Sequence, residues 1–452
     1  MGLVLAVIIG LLVIASVIFH FASPWYFTEL ASNWQGIDTT VDITFWVTGF
    51  VFVAVNAFFI FCIYKYRHRP GHKADYDPEN SKLEYILTGI TTIGVIAMLA
   101  PGLFTWAEFV NVPEGTRQIE AVGKQWHWSY RLAGADGEFG ASDVRFMNVD
   151  NPFGVDPEDP AGQDDKLVMA PILHLPVDEG AHMLLRSTDV LHNFTVPQFR
   201  VKMDLVPGMV TFQWFTPTVP GTYDVLCEEH CGVGHFAMRS KVVVQSRSDF
   251  DAWVAAQPTF ADTQARPAGN AAAGAGTYAV CSACHGAQGE GNQALMAPKI
   301  AGSSGWYIRH QIANYQRGIR GADPADAAGM TMRPMSMTLT TPALLENVIA
   351  YIETLPDNRP MATISGDAER GRVLYQSCAV CHGEDGMGNW NTNAPRLAGM
   401  SDWYLANQLV NFKSRVRGGH DEDVYGDQMY MIASSLADDN AVNDVVAYIN
   451  TL

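Results

Sequence analysis

Cys227-Glu228-Glu229-His230-Cys231-Gly232-Val233-Gly234-His235-Phe236-Ala237-Met238 gathers two thiols, two imidazoles and a thioether on one short stretch. Sulfur and imidazole make a soft ligand set suited to copper. The Cys-x3-Cys spacing differs from the Cys-x2-Cys pairs of zinc ribbons. A disulfide between Cys227 and Cys231 is the competing reading. Around this stretch, from about residue 112 to 245, short runs are punctuated by Gly, Pro and Asp. Runs 182–186, 210–215 and 241–245 predict strands, and several such strands predict a small antiparallel sandwich or barrel. The acidic stretch 156–165 reads as a surface loop.

Upstream the texture is that of a membrane anchor. Helices are predicted over about 3–22, 43–66 and 83–108, each built on an apolar run near the ~20 residues needed to cross hydrocarbon. The first run has no positive segment before it and no small-x-small cleavage pattern ahead of Pro24, so it is expected to stay as a helix. Lys65, Arg67, Arg69 and Lys73 lie between the second and third runs, whereas residues 20–42 carry no Lys or Arg. Positive-inside bias puts that loop in the cytoplasm and everything beyond Trp106 in the periplasm of a bacterial inner membrane. Glu84 stands where the third span enters, and by position alone it is an interfacial carboxylate. The whole chain has 452 residues, enough for about three domains, and a net charge of -18. That charge argues against nucleic acid as a partner and leaves acidic surface able to attract a basic protein donor.

Downstream, residues 257–275 are rich in Ala, Gly and Pro and read as a flexible linker. Beyond it come Cys281-Ser282-Ala283-Cys284-His285 and Cys378-Ala379-Val380-Cys381-His382, two c-type haem attachment motifs. Their thiols bond the haem vinyl groups, and His285 and His382 are proximal iron ligands. A repeat at constant offset runs through this region: Cys281 plus 97 is Cys378, Pro298 maps to Pro395, Trp306-Tyr307 to Trp403-Tyr404, and Gln311 to Gln408. The repeat predicts two helical units, 276–356 and 366–452. It also selects the second axial ligand, since His–Met pairs are common in electron-transfer haems. Of Met330, Met332, Met335 and Met337, only Met332 has a methionine 97 residues on, Met429. Six of the seven cysteines thus belong to ligand pairs, and Cys62, in an apolar run, is expected to be packing.

The 227–238 stretch resembles the binuclear copper (CuA) loop of cytochrome c oxidase subunit II, and residues 25–255 resemble that family. Each downstream unit resembles a class I cytochrome c, and the pair resembles the di-haem cytochromes of the c4 kind. The expected fold class is therefore multidomain: transmembrane helices (1–110), an all-β cupredoxin-like domain (111–256), then two all-α cytochrome c domains. Cys227 and Cys231 are expected to bridge two coppers, with His235 as one terminal imidazole. His174, His182, His192 and His230 are candidates for the other. Asp189-Val190-Leu191-His192-Asn193-Phe194 matches the family's upstream histidine segment, so the resemblance selects His192. It makes Met238 a weak thioether ligand and the Glu229 main-chain carbonyl the last ligand, with the Glu229 side chain reaching a magnesium ion shared with subunit I.

Gly123-Lys124-Gln125-Trp126-His127-Trp128-Ser129-Tyr130 resembles the aromatic cluster over the copper, in which Trp126 receives the electron. Lys82-Leu83-Glu84-Tyr85-Ile86-Leu87-Thr88 resembles the segment whose glutamate stands at the mouth of a proton path. The implied protein is the electron-input subunit of a proton-pumping oxygen reductase. Its partners would be subunits I and III and the membrane lipid, and its donor a cytochrome c or a quinol–cytochrome c reductase. Quinol oxidases have a homologous subunit without these ligands, and the ligands present here exclude that reading. The rivals are the entry subunit of a copper-containing nitric oxide reductase and a stand-alone membrane electron carrier. The linker is expected to let the cytochrome domains move between two poses.

Overall fold

In the computed structural model, residues 2–23, 28–73 and 78–452 are described. Three long helices come first: α1 (Gly2–Ala22), α2 (Gln35–Lys65) and α3 (Ser81–Val110). All three are long and apolar enough to cross a membrane, with most of their large apolar side chains exposed. A soluble helix would have to bury such a surface, so lipid is its natural solvent. The second helix begins several residues earlier than the apolar run, because Gln35, Asp38 and Thr39 extend it beyond the hydrocarbon-length core. Asp38 there pairs with Arg200 at 2.6 Å, tying the anchor to the next domain. Trp34 Nε1 donates to the Trp214 carbonyl at 2.9 Å, and Trp214 Nε1 donates to that of Glu108 at 3.1 Å.

The central domain is a two-sheet sandwich of β1 (Arg117–Lys124), β2 (His127–Leu132), β3 (Lys166–Val168), β4 (Ile172–Pro176), β5 (Ala181–Ser187), β6 (His192–Val196), β7 (Val201–Leu205), β8 (Thr211–Phe215), β9 (Gly221–Leu226) and β10 (Arg239–Gln245). One sheet has the order β3-β2-β1-β5-β8 and the other β4-β10-β9-β6-β7. The β1–β5 and β4–β10 pairs are parallel and the others antiparallel, so the expectation of a purely antiparallel sandwich is corrected at these two joints. Ile119, Trp128, Tyr130, Leu173, Met183, Phe194, Phe215 and Val242 fill the space between the sheets. The stretch 156–165 is not wholly a surface loop. Asp165 is fully buried and bonds the Arg131 guanidinium at 3.0 Å, because a charge at that depth persists only when paired.

α4 (Arg247–Ala256) and α5 (Phe260–Gln264) follow, then the first cytochrome domain: α6 (Ala271–His285), α7 (Gly305–Arg317), α8 (Ala327–Ser336) and α9 (Pro342–Ile352). The second repeats it with α10 (Ala368–His382), α11 (Asp402–Lys413), α12 (Val424–Ala433) and α13 (Asp439–Ile449). The stretch expected to be a flexible linker is ordered. Phe260 is fully buried beside Val122, Phe153, Val155 and Leu167, and Thr259 with Asp262 closes a capping box on α5. Arg266 pairs with Asp150 of the copper-type domain and lies 3.6 Å from Glu346 of the first cytochrome domain. One aromatic residue and one arginine among the small ones override the composition.

The two cytochrome domains meet through a reciprocal contact. Arg320 donates to Tyr404 at 2.6 Å and Gln408 at 3.1 Å, while Arg417 donates to Tyr307 at 3.2 Å and Gln311 at 3.1 Å. Lys299 donates to the Gly399 carbonyl, and Arg396 to that of Gly302. Each of these residues lies 97 positions from its counterpart, so the halves pack about an internal twofold axis.

Candidate functional site

The copper-type loop leaves β9 at Leu226 and returns into β10 at Arg239, so two adjacent strands fix both of its ends. Cys227 and Cys231 converge with their sulfurs 3.8 Å apart. Neither is in a disulfide, and both are buried. His235 Nδ1 lies 3.4 Å from Cys231 Sγ, Met238 Sδ lies 3.8 Å from the same sulfur, and the Glu229 carbonyl accepts from Cys227 Sγ at 3.3 Å. From β6, the strand next to β9 in the same sheet, comes His192, and its ring, Cys227 and Cys231 place ligand atoms within 4.8 Å of one another. His174 instead stacks on Trp253 and bonds Gln245, His182 meets Phe212 edge-on, and His230 is exposed beside His235.

Fit to a soft cation can be judged from these atoms. His192 Nε2 bonds Asp189 Oδ1 at 2.8 Å, while its Nδ1 is buried without a hydrogen-bond partner. A buried orphan nitrogen facing two sulfurs is costly unless it is a ligand, and a carboxylate on the opposite nitrogen is the usual device for orienting a ligating imidazole. The thiols share a hydrogen bond that, with burial, drives their proton affinities apart, lowering one and raising the other. Cation binding requires both sulfurs as thiolates, so the protons they share must leave when it occurs.

Trp126 roofs this loop. Its indole N–H donates to the Cys231 carbonyl at 3.0 Å, joined by Gln125 Nε2 on the same oxygen at 2.7 Å. Gly232, at φ 112°, and Gly234 allow that approach, since a Cβ on either would press into the Trp126 ring or its neighbour Gln125. Asp189, Gln125 and these glycines were missed in the sequence. Asp189 stands three residues before His192, and nothing in its spacing distinguished it from an ordinary turn aspartate.

In the cytochrome domains His285 Nδ1 meets the Pro298 carbonyl at 2.8 Å and His382 Nδ1 that of Pro395 at 2.7 Å, leaving each Nε2 for a metal. Burial lowers both imidazoles and keeps them neutral. Cys378, Cys381, His382 and Met429 of the second domain line one cleft, walled also by Tyr307 and Gln311 of the first. Met332 and Cys281 each pack, half-buried, against the apolar core of the first domain. Glu84 is set apart from all of these, exposed in the first turn of α3 and roughly 40 Å from the Val110 end at 1.5 Å per residue.

A membrane-anchored sandwich with a Cys, His and Met loop, followed by two haem-attachment domains, defines an electron-transfer subunit. Residues 117–246 match the family described as cytochrome c oxidase subunit II, periplasmic domain, and residues 271–356 and 368–452 each match cytochrome c. The alternative cytochrome c oxidase subunit 2 of Bradyrhizobium diazoefficiens is 51% identical over 263 residues, 58% of this chain and 95% of that protein. Among solved structures, the periplasmic domain of subunit II of cytochrome oxidase of Bradyrhizobium japonicum is 28% identical, covering 32% of this chain and 95% of that one, with a TM-score of 0.23. Reduced recombinant cytochrome c4 from Pseudomonas stutzeri is 27% identical, covering 41% of this chain and all of that one, with a TM-score of 0.34. The chain belongs to the cytochrome c oxidase subunit 2 family, with two cytochrome c domains beyond the family's periplasmic domain. Its role is that of an electron-input subunit of a haem-copper oxidase.

Proposed function

We propose that this chain takes electrons from a protein donor at its cytochrome domains and passes them through the copper domain to subunit I, where oxygen is reduced and protons are pumped. The observation that carries the reading is the convergence of His192, Cys227 and Cys231 beneath Trp126. When bound, a binuclear copper pair and two haem c groups supply reversible one-electron transfer. His192, Cys227, the Glu229 carbonyl, Cys231, His235 and Met238 hold the copper pair. Cys281, Cys284, His285 and Met332 hold the first haem, and Cys378, Cys381, His382 and Met429 the second. Burial of His192, Cys227, Cys231 and Met238 excludes water from most of the copper ligands and keeps that donor set rigid, which suits a site that must change charge without rearranging. Trp126 is the electron gate, Glu84 the entrance of a proton path, and the Glu229 side chain a magnesium ligand at the subunit I face. Subunit III and membrane lipid complete the surroundings, in a bacterial inner membrane with the copper domain periplasmic.

Arg320 and Arg417 support the haem assignment. Both guanidiniums face the junction of the cytochrome domains, and their hydrogen-bond partners among the described residues are neutral Tyr and Gln groups. Asp423 gives Arg417 part of the countercharge that a buried cation needs, and haem carboxylates would supply more to both guanidiniums. Optical and electron-paramagnetic resonance spectra of the purified complex test the proposal. Two low-spin c haems and a mixed-valence copper pair are expected, and a mononuclear blue-copper signal would refute the ligand set. Consumption of nitric oxide in preference to oxygen would move the chain to the reductase class, and purification without a catalytic partner would make it a free carrier.

A further inference from the structure

The cleft that holds Cys378, Cys381, His382 and Met429 has two further walls of different origin. Tyr307, His310 and Gln311 of the first cytochrome domain form one. Tyr425 and Gln428 of α12 form the other, and both of these side chains also touch the copper domain. Gln428 Nε2 donates to the Trp126 carbonyl, and the Tyr425 ring stacks on His127 at 4.8 Å. A third contact lies outside the cleft, where Lys124 Nζ stands 5.6 Å over the Trp390 ring. Cys381 packs against the apolar core that contains Cys227, Cys231 and Met238. A group held in this cleft therefore lies between the first cytochrome domain and the copper loop.

The bridge is peculiar to the second repeat. At offset 97, Tyr425 answers to Ala328, Gln428 to Thr331 and Trp390 to Gln293. A methyl group and a threonine hydroxyl do not span what a tyrosine ring and a glutamine amide cross. The residues that join the cytochrome domains to each other do agree at that offset, as with Arg320/Arg417, Tyr307/Tyr404 and Gln311/Gln408. A twofold pair has two equivalent outer faces, and a single copper domain can be matched to one of them. The path across that face is short. Gln428 precedes Met429 in the chain, and Trp126 donates its indole N–H to the Cys231 carbonyl at 3.0 Å. Two hydrogen bonds and one tryptophan thus connect a haem-ligand segment to a copper-ligand loop.

We infer that electrons leave the cytochrome pair through the second domain, and that Gln428 and Tyr425 are the positioning residues that hold its Met429 segment against Trp126. The direction of transfer rests on the electron-input reading above, while the joint itself does not. The first domain then feeds the copper domain by way of the second. In each transfer the second domain loses one electron and the copper domain gains one. No bond to hydrogen is made or broken at Gln428, Tyr425 or Trp126.

The test uses the purified holo complex in detergent. Gln428→Glu keeps the side-chain length and has no N–H to donate when ionised. A second variant, Tyr425→Ala with Gln428→Thr, installs what the first domain carries. Hydrogen exchange in a peptide covering 124–130 is expected to quicken at least about threefold in both variants. Thr331→Ala, at the matching place in the first domain, is the control and leaves that peptide as it was. A flash-excited soluble photoreductant dye then delivers one electron to the haems. Its arrival at the copper pair is expected to slow about tenfold or more in both variants, because small misplacements of reacting partners are costly. Haem spectra and haem reduction by the dye are expected to match the unaltered complex. If the double variant loses haem, Gln428→Glu decides alone. An arrival rate that does not change, or a fast phase that persists, reveals a bypass and overturns the exit assignment, and unchanged exchange at 124–130 overturns the joint. A missing copper-pair paramagnetic signal in the unaltered complex would sink the electron-input reading, and the exchange result would still decide whether the joint exists.

Discussion

At Asp189 a single carboxylate does two jobs: it accepts from the Gln125 backbone N–H at 2.7 Å and from His192 Nε2. Asp189→Asn offers the ring a different partner and removes the charge that fixes its tautomer. The expected loss is about 10- to 100-fold in copper affinity, measured by competition with a chelator of known strength, with haem content unchanged. A larger group at Gly234 acts from the other side. Gly234→Ala drives a methyl into the Trp126 indole, so the ring must shift off the Cys231 carbonyl at a cost of about 1–3 kcal/mol. Thermal unfolding of the copper domain reports that cost, and an unchanged midpoint would show that the loop, not the indole, gives way. The loop residues themselves were legible in the sequence because soft ligands at short spacing have few other uses. Their supports were not, because Asp189 and Gln125 act through folded geometry.

Elements were legible where periodicity is strong and misleading where composition spoke alone. The three long helices and the 97-residue repeat announce themselves through apolar length and exact spacing. The Ala- and Pro-rich segment before the haem domains suggested mobility, yet α5 is pinned by Phe260. Phe260→Ala should cost about 3–5 kcal/mol of local stability and expose residues 257–275 to protease, whereas the unaltered chain resists cleavage there. A second connection, between the cytochrome domains, is pinned by Asp402. It accepts from the Thr363 and Ile364 backbone N–H groups at 2.6 and 2.8 Å and from Asn450 at 3.0 Å. Burial pushes this carboxyl up, but those donors outweigh it and hold it below its ordinary value. Its contribution is therefore present above the unfolded value near ~4 and is lost as pH falls through the lower folded value. The thermal midpoint of unaltered protein should exceed that of Asp402→Asn at neutral pH, and the gap should close as pH falls below the ordinary carboxylate range.

For the whole molecule, the expectation of tethered domains moving between poses meets a structure in which copper and cytochrome domains share one junction. His127, Tyr425 and His310 come from three domains, His127 stacking on Tyr425 and His310 meeting it edge-on. Sequence alone could not show this, because the contacts join residues up to about 300 positions apart and none belongs to a recognisable motif. The twofold contact makes a separate prediction. Arg417→Met removes donors to Tyr307, Gln311 and Gln408, and hydrogen bonds from a charged donor are each worth about 1.5–3 kcal/mol. Calorimetry of the variant should resolve separate transitions for the two haem domains where the unaltered protein melts them together.

The reciprocal use of Arg320 and Arg417 also limits how long such a chain of modules can grow. A head-to-tail contact would leave a vacant end, and each further duplication would extend the array. Here Arg320 and Arg417 each already occupy the other's half, as do Lys299 and Arg396. A third copy spliced in tandem would find no open mate. This pairing closes at two, and a longer relay on this scaffold would require a newly evolved contact.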